Sequence, residues 1–448
     1  LYGSRARNVV VLVTTKKGQR GQGLGISFSS NTTFERVSTI ANSQNEYGQG
    51  ASGSEFLWNR DGTGETYQQW AEGSFTYVDG DGNGNNDGFD ESWGPRLDAG
   101  LILDQFFGDA QPWVSHPSNV RDFYQIGCTL NNNLTINAGG EKSAARFSYS
   151  NLNQVGAIPG TDQRRNSIND SATVSPTDKL NITANVNYVN TSNDNLPGQG
   201  YSDQNVVQSI GGWFGRQVDM KLLEENWDTM MEPTANWPNG RPYNWNTNYH
   251  NNPYWTVYKN QQGRQRDRLY GNFNINYKLT DWLDLKFRYG MDYYNEYRKT
   301  VIYEMSNRNK NEGGEFSTSS RTRKESNADL FLFFDKDIGS DLSISGNVGA
   351  NYRRYDYNSF SLSASRLTVP NLFTISNVDG TPGTGDYVSA FETNSVFGAL
   401  NLAFRDYLFV DFTARNDWSS TLPSDSWSYF YPSVSLGWIF TETFGLQS

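Results

Sequence analysis

The chain carries little of what side-chain chemistry usually needs. Its 448 residues include one cysteine, Cys128, and two histidines, His116 and His250. A single cysteine excludes an intrachain disulfide and a thiolate zinc cluster. Two histidines leave no multi-histidine metal centre and little basis for a His-dependent triad. Long apolar runs are also missing: the longest near the start, Val9 to Val13, falls far short of the roughly eighteen residues that mark a membrane helix. Positive charge is scarce too. The net charge of −11 repels a phosphate backbone, so nucleic acid is excluded as a partner. No secretory leader is legible before Leu1, which stands inside an extended-looking segment, so the chain reads as a stretch of a longer polypeptide.

What the sequence has in abundance is alternation. Leu283, Leu285, Phe287, Tyr289, Met291 and Tyr293 fall on one face of a strand, and Asp284, Lys286, Arg288, Gly290 and Asp292 on the other. Period two with large apolar groups on one side and charges on the other describes a strand between two different solvents. A strand tilted across a bilayer needs about 9–11 residues, which matches this stretch. Such a wall explains why the mean hydropathy is only −0.69, since every second residue must be apolar and the loops need not be.

About twelve such strands are expected, near 24–37, 126–138, 144–152, 166–175, 180–190, 267–278, 283–293, 325–336, 341–355, 393–404, 407–416 and 428–440. Connections near 139–143, 176–179, 279–282, 337–340 and 405–406 are tight and rich in turn formers such as Gly139-Gly140, Asp281 and Gly339. Those near 38–125, 153–165, 191–266, 294–324, 356–392 and 417–427 are longer. Short periplasmic turns alternating with long extracellular loops belong to bacterial barrels. The fold class read from this pattern is all-β: a transmembrane antiparallel β-barrel of the outer membrane, with 38–125 and 191–266 as its long extracellular loops.

Aromatics make up 15% of the chain, and of thirteen tryptophans only Trp282 and Trp438 fall outside the long connections. Within 203–227 the period changes: Val206, Ile210, Trp213, Phe214, Val218 and Leu222 recur about once per helical turn, which predicts one or two helices packed on the barrel mouth. Trp213, Trp227, Trp237, Tyr243, Trp245, Tyr249 and Trp255 are the candidate contacts for a ligand or a lid, because flat rings stack on sugars and pack against partner proteins. The competing reading is internal packing of a long loop.

Asp79 to Asp90 follows the spacing of a twelve-residue calcium loop. Asp79, Asp81, Asn83, Asp87 and Asp90 supply side-chain oxygens in that reading, Asn85 its carbonyl, and Gly84 the sharp turn. Asn86 stands where an aliphatic residue is usual, and no helix pair flanks the loop, so a solvated Asn/Asp/Gly turn is the alternative. Bound calcium would be structural and of extracellular affinity, about 10⁻⁴–10⁻³ M. No cofactor is required by any other motif. Gly18 to Gly25 follows no phosphate-binding pattern, Cys128 reads as a small apolar strand residue, and none of the acidic pairs has the spacing of a glycosidase. The chain is therefore not read as an enzyme.

Several segments carry a family resemblance. Leu1 to Gly18 is similar to the segment that closes the plug domain of SusC/RagA-type TonB-dependent transporters of Bacteroidetes, with Arg7 where a small residue is usual and Val9 where glycine is usual. Gln44 to Gly50, Glu91 to Asp98, Asn119 to Phe123, Asn252 to Trp255, Arg415 to Ser420 and Tyr431 to Ser435 resemble the same family. The resemblance implies a barrel of roughly 22 strands closed by a globular plug. Residues 1–18 would then be the end of the plug and 19–448 the first part of the barrel, with the TonB box and the remaining strands outside this chain. It also implies a SusD-like surface lipoprotein as lid, energy from the TonB complex, contact with outer-membrane lipid, and import of an oligosaccharide or peptide into a Gram-negative cell. A soluble aromatic-rich carbohydrate-binding or hydrolytic β-protein and a passive porin are the competing functions. Neither needs both the two-sided loop pattern and a plug-closing segment.

Overall fold

The computed structural model describes residues 18, 21, 23–50, 58–60, 64–74, 91–105, 109–232, 240–245, 249–307 and 313–446. The plug-end expectation (1–18) falls almost wholly outside them, as do the Asp79–Asp90 loop and Trp237.

Twelve strands form one antiparallel sheet in which every strand pairs with the next one along the chain. It begins with β1 (Gly23–Glu35), passes over the small hairpin β2 (Ile102–Gln105) and β3 (Asp109–Pro112), and continues through β4 (Gly127–Gly139), β5 (Ser143–Val155), β6 (Asp162–Thr177) and β7 (Leu180–Asn193). After a second small hairpin, β8 (Met230–Met231) and β9 (Arg241–Pro242), come β10 (Gln262–Thr280), β11 (Leu283–Ile302) and β12 (Glu315–Ile338). The sheet ends with β13 (Leu342–Ala364), β14 (Gly383–Phe404), β15 (Leu408–Ser419) and β16 (Ser428–Trp438). Short helices lie outside the sheet: α1 (Tyr67–Ser74), α2 (Asn119–Asp122), α3 (Val206–Gly212), α4 (Met220–Glu225), α5 (Pro253–Lys259) and α6 (Phe440–Thr443).

Register carries one face across all twelve strands. Phe287 stands opposite Ile275 on β10 and Leu330 on β12, while Arg288 stands opposite Asn274 and Asp329. The apolar face presents Leu24, Ile26 and Phe28 at one end of the sheet and Val434 and Leu436 at the other, all well exposed. So large a continuous apolar surface is untenable in water and belongs against hydrocarbon. Tight turns hold one end of the sheet. Arg405 and Asp406 both take left-handed backbone (φ 47° and 56°), the conformation of a two-residue hairpin turn, and the Arg405 guanidinium reaches Asp341 of the neighbouring turn at 3.1 Å.

The structure lengthens the expected strands at the opposite end. β11 continues nine residues past 293 to Ile302, β12 begins at Glu315 instead of 325, and β14 at Gly383 instead of 393. The physical reason is visible on the apolar face. It runs from Leu283 to Tyr293 and then turns polar at Asn295 and Lys299, while the pairing goes on. Eleven residues at about 3.3 Å, tilted about 45°, span roughly 25 Å, the height of a lipid-facing band. Past that band the strand stays paired but its outer face meets water, so the apolar alternation that marks a strand ends before the strand does. The same extension moves Trp418 from an expected connection into the end of β15 and shortens two connections to 156–161 and 420–427.

Candidate functional site

The face opposite the apolar one divides into two zones. Over β4 to β10 it is neutral and amide-rich. Asn133 donates to Ser150 (2.6 Å), and Thr135 bonds both Asn133 and Ser148. Further along the sheet, Asn185 donates to Asn272 at 2.9 Å and Asn274 to Asn272 at 2.7 Å. These side chains satisfy one another in ladders across the strands, which holds the wall polar without net charge.

From β10 to β15 the same face is built of arginines, carboxylates and rings. Glu296, only 1% exposed, accepts from Arg298 Nε at 2.7 Å and from Arg266. Arg268 grips Asp292 with two bonds of 2.8 and 2.6 Å. Arg288 bonds Asp329 at 2.7 Å, and Glu325 is shared by Arg353 (2.7 Å) and Arg323 (3.4 Å). Arg415 bonds Asp417 (2.6 Å) and Ser395 (2.8 Å) while lying over Phe397, which gives the Arg415–Ser420 motif a structural role. Most of these guanidinium groups also cover a ring: Arg266 lies over Tyr294 at 4.8 Å, Arg323 over Tyr355 at 5.0 Å and Arg353 over Phe391 at 5.0 Å. Pairing plus stacking fixes each long side chain against the wall.

Above the sheet end opposite the tight turns, the connections form a packed layer. The described parts of 194–261 include three short helices, each capped by a residue the sequence provides. Asn205 caps α3 by accepting from Gln208 N, and Asp219 caps α4 by accepting from Lys221 N. Asn252 caps α5, with Pro253 in the first turn, where its missing N–H costs nothing. Asn252 also donates to the carbonyls of Leu223 and Tyr243, both at 2.9 Å, so one buried amide ties three pieces of loop together. We expect Asn252→Ala to cost about 1–3 kcal/mol, because two buried carbonyls lose their donor and the helix loses its cap together. Limited proteolysis of the loop against wild type checks this; an unchanged cleavage rate would contradict it. Asn119 acts alike, donating to Gly215 O and Val218 O and accepting from Arg216 at 2.7 Å.

Two of the segments that carry the family resemblance pair with each other. Gly48 N donates to Pro95 O, Gly94 N to Gly48 O and Leu97 N to Glu46 O, so 44–50 and 91–98 run side by side. A Cβ on Gly94 would strike the Gln49 carbonyl, and one on Gly48 would strike the Trp113 ring. Glycine is needed at both places for close approach.

The aromatic candidates fall into separate settings. Tyr243, Trp245 and Trp255 are buried in the loop layer, Trp245 completely. The Trp245 ring stacks on His250 at 5.2 Å and meets Phe214 edge-on at 4.9 Å; Trp213 flanks the same histidine at 6.1 Å. Trp227 and Trp255 meet around Lys259, whose Nζ lies 5.5 and 5.7 Å from their rings, 5.5 Å from Tyr303 and 3.3 Å from Asp228. Tyr249 is 60% exposed. Burial raises the nearby Tyr254 phenol above its ordinary range, with Glu224 adding to the shift, so it remains neutral. Truncating Tyr249 to alanine should cost less stability than truncating the fully buried Trp245, by denaturant titration, because far less of its ring is withdrawn from water. The arginine-and-ring wall was not singled out in the sequence beyond the Asp284–Asp292 alternation. Its signal was there in the repeated Arg-x-Arg pattern of Arg264, Arg266 and Arg268 and of Arg321 and Arg323. Among the described residues no cluster of His, Cys, Asp or Glu is arranged to hold a metal.

No family model matches the chain. TonB-dependent receptor P3 of Formosa agariphila is 24% identical over 98% of this chain, and SusC of Bacteroides thetaiotaomicron, also named a TonB-dependent receptor, is 22% identical over 99%. Among solved structures, the RagAB peptide transporter superposes over the whole chain with a TM-score of 0.70 at 16% identity. The chain is related to the SusC/RagA-type TonB-dependent receptors. It spans 38% of the Formosa receptor, 39% of SusC and 48% of the RagAB chain. The superposition gives the twelve-stranded sheet the fold of a barrel wall, and its apolar face is the one suited to hydrocarbon, which leaves the amide and arginine zones to the inside. The relatives are named receptors and transporters rather than enzymes.

Proposed function

We propose that this chain is part of an outer-membrane importer that takes up an oligosaccharide or peptide together with a SusD-like surface lipoprotein, powered through TonB. The observation that carries the reading is the two-faced wall. An apolar band about 25 Å tall faces one way, and a lining of amides, arginine–carboxylate pairs and the rings they cover faces the other, on a sheet that superposes along its full length on a RagAB transporter chain. The lining gives a hydrated nutrient hydrogen-bonding groups along its path, while the packed loop layer at the outer end offers a rigid seat for a lid. Of the described aromatic candidates, Tyr249 suits such a contact by its exposure on that layer.

The soluble carbohydrate-binding reading is disfavoured because it would leave the apolar face in water. Uptake tests the proposal. In the native organism, nutrient accumulation that depends on this gene should vanish when TonB is removed. Accumulation that persists without TonB would point to a passive pore instead.

A further inference from the structure

The inner wall of this acidic chain holds a strongly basic patch. Three adjacent rows of cross-strand partners define it. One row joins Arg165 on β6, through Thr191, to Arg266, Glu296 and Arg321. The next sets Arg264 directly opposite Arg298, and the third joins Arg268, Tyr294 and Arg323. The only carboxylate in these rows is Glu296, and it is already shared by Arg266 and Arg298. Arg268 and Arg323 find their carboxylates, Asp292 and Glu325, one row below. That leaves Arg165, Arg264 and Arg321 as cations in excess, and the buried Nε of Arg264 has no hydrogen-bond partner. Like charges placed opposite each other on neighbouring strands are destabilising, so a wall serving structure alone would not stand Arg264 against Arg298.

Height places the patch. Arg266 lies fourteen residues from Thr280 at the tight-turn end of β10. At about 3.3 Å per residue and the same tilt of about 45°, that is roughly 33 Å, past the lipid-facing band. The patch therefore lines the outer vestibule, where an arriving nutrient is met first.

We propose that this patch is a carboxylate-binding site and that the imported nutrient is anionic. The inference rests on the import reading above. Guanidinium forks bind planar carboxylates in pairs of parallel bonds, and the Arg268–Asp292 pair shows that this wall holds them in that geometry. Two carriers share the chemistry, a uronic-acid oligosaccharide and an acidic peptide.

The test uses the purified full-length receptor and binding calorimetry at two salt concentrations. The probes are a short oligogalacturonate and its neutral methyl ester, and a short polyglutamate and the matching polyglutamine. The wild type should bind at least one carboxylated probe and should bind its neutral counterpart more weakly; the probe that binds identifies the carrier. The double variant Arg264→Gln, Arg321→Gln should lose about tenfold in affinity for that probe and much of its salt dependence, with the neutral counterpart unaffected. Heat-modifiable migration on a gel verifies that the variant barrel has formed, and Arg264→Lys, Arg321→Lys should restore part of the affinity. Equal binding of charged and neutral probes, no binding of either carboxylated probe, or an unchanged affinity in the glutamine variant would overturn the proposal. Failure of the import reading shows separately, as uptake that does not need TonB.

Discussion

Arginine in place of Phe287 is expected to destabilise the barrel by about 2–4 kcal/mol, as judged by denaturant titration of the full-length protein folded in lipid. Phe287 lies within the apolar stretch Leu283–Tyr293 of β11, flanked by Ile275 and Leu330, so a guanidinium there has no water and no carboxylate within its row. The contrast with its neighbour makes the measurement specific. Asp284 is on the opposite face and exposed, so Asp284→Asn should change stability by less than about 0.5 kcal/mol. Equal costs at 284 and 287 would mean that the two faces meet the same solvent.

Removing Arg266 and Arg298 together should cost more, about 3–5 kcal/mol. Glu296 is almost fully buried and both of its bonded partners would go, leaving a carboxylate without compensation in the wall. Adding Glu296→Gln to the double variant should recover much of that loss, because the charge that needed pairing is gone. If the triple variant is no more stable than the double one, the loss comes from missing side-chain packing over Tyr294 and not from an unpaired charge.

How much of this was legible in the sequence depended on which solvent each residue met. The lipid-facing half of most strands announced itself, because there apolar and polar residues largely alternate as they do from Leu283 to Tyr293, and all twelve sheet strands were located near their observed positions. The outer halves did not. Around Asn295 to Lys299 and Ser317 to Lys324 both faces are polar, so alternation vanishes although the ladder continues. The caps of the long loop, Asn205, Asp219 and Asn252, were not read from the sequence, because which Asn or Asp caps a helix depends on where each helix begins. Nothing in the segment Asn252-Pro253-Tyr254-Trp255 says that its asparagine will bond Leu223 and Tyr243. The aromatic candidates shared a loop in sequence and divided in space, because rings that bury well became the loop's own core and left Tyr249 outside. The arginine patch was hidden for a different reason: its members come from β6, β10, β11 and β12, and only the register brings them into adjacent rows.

A membrane-spanning wall must be two-sided, and site-directed spin labelling measures that two-sidedness. With Cys128 replaced by serine, single cysteines at each position from 283 to 293 in the full-length protein would be labelled in outer-membrane lipid. Collision with oxygen, which concentrates in hydrocarbon, should peak at 283, 285, 287, 289, 291 and 293. Collision with a water-soluble nickel chelate should peak at 284, 286, 288 and 292. The opposite phase, or no alternation at all, would contradict the barrel wall described here.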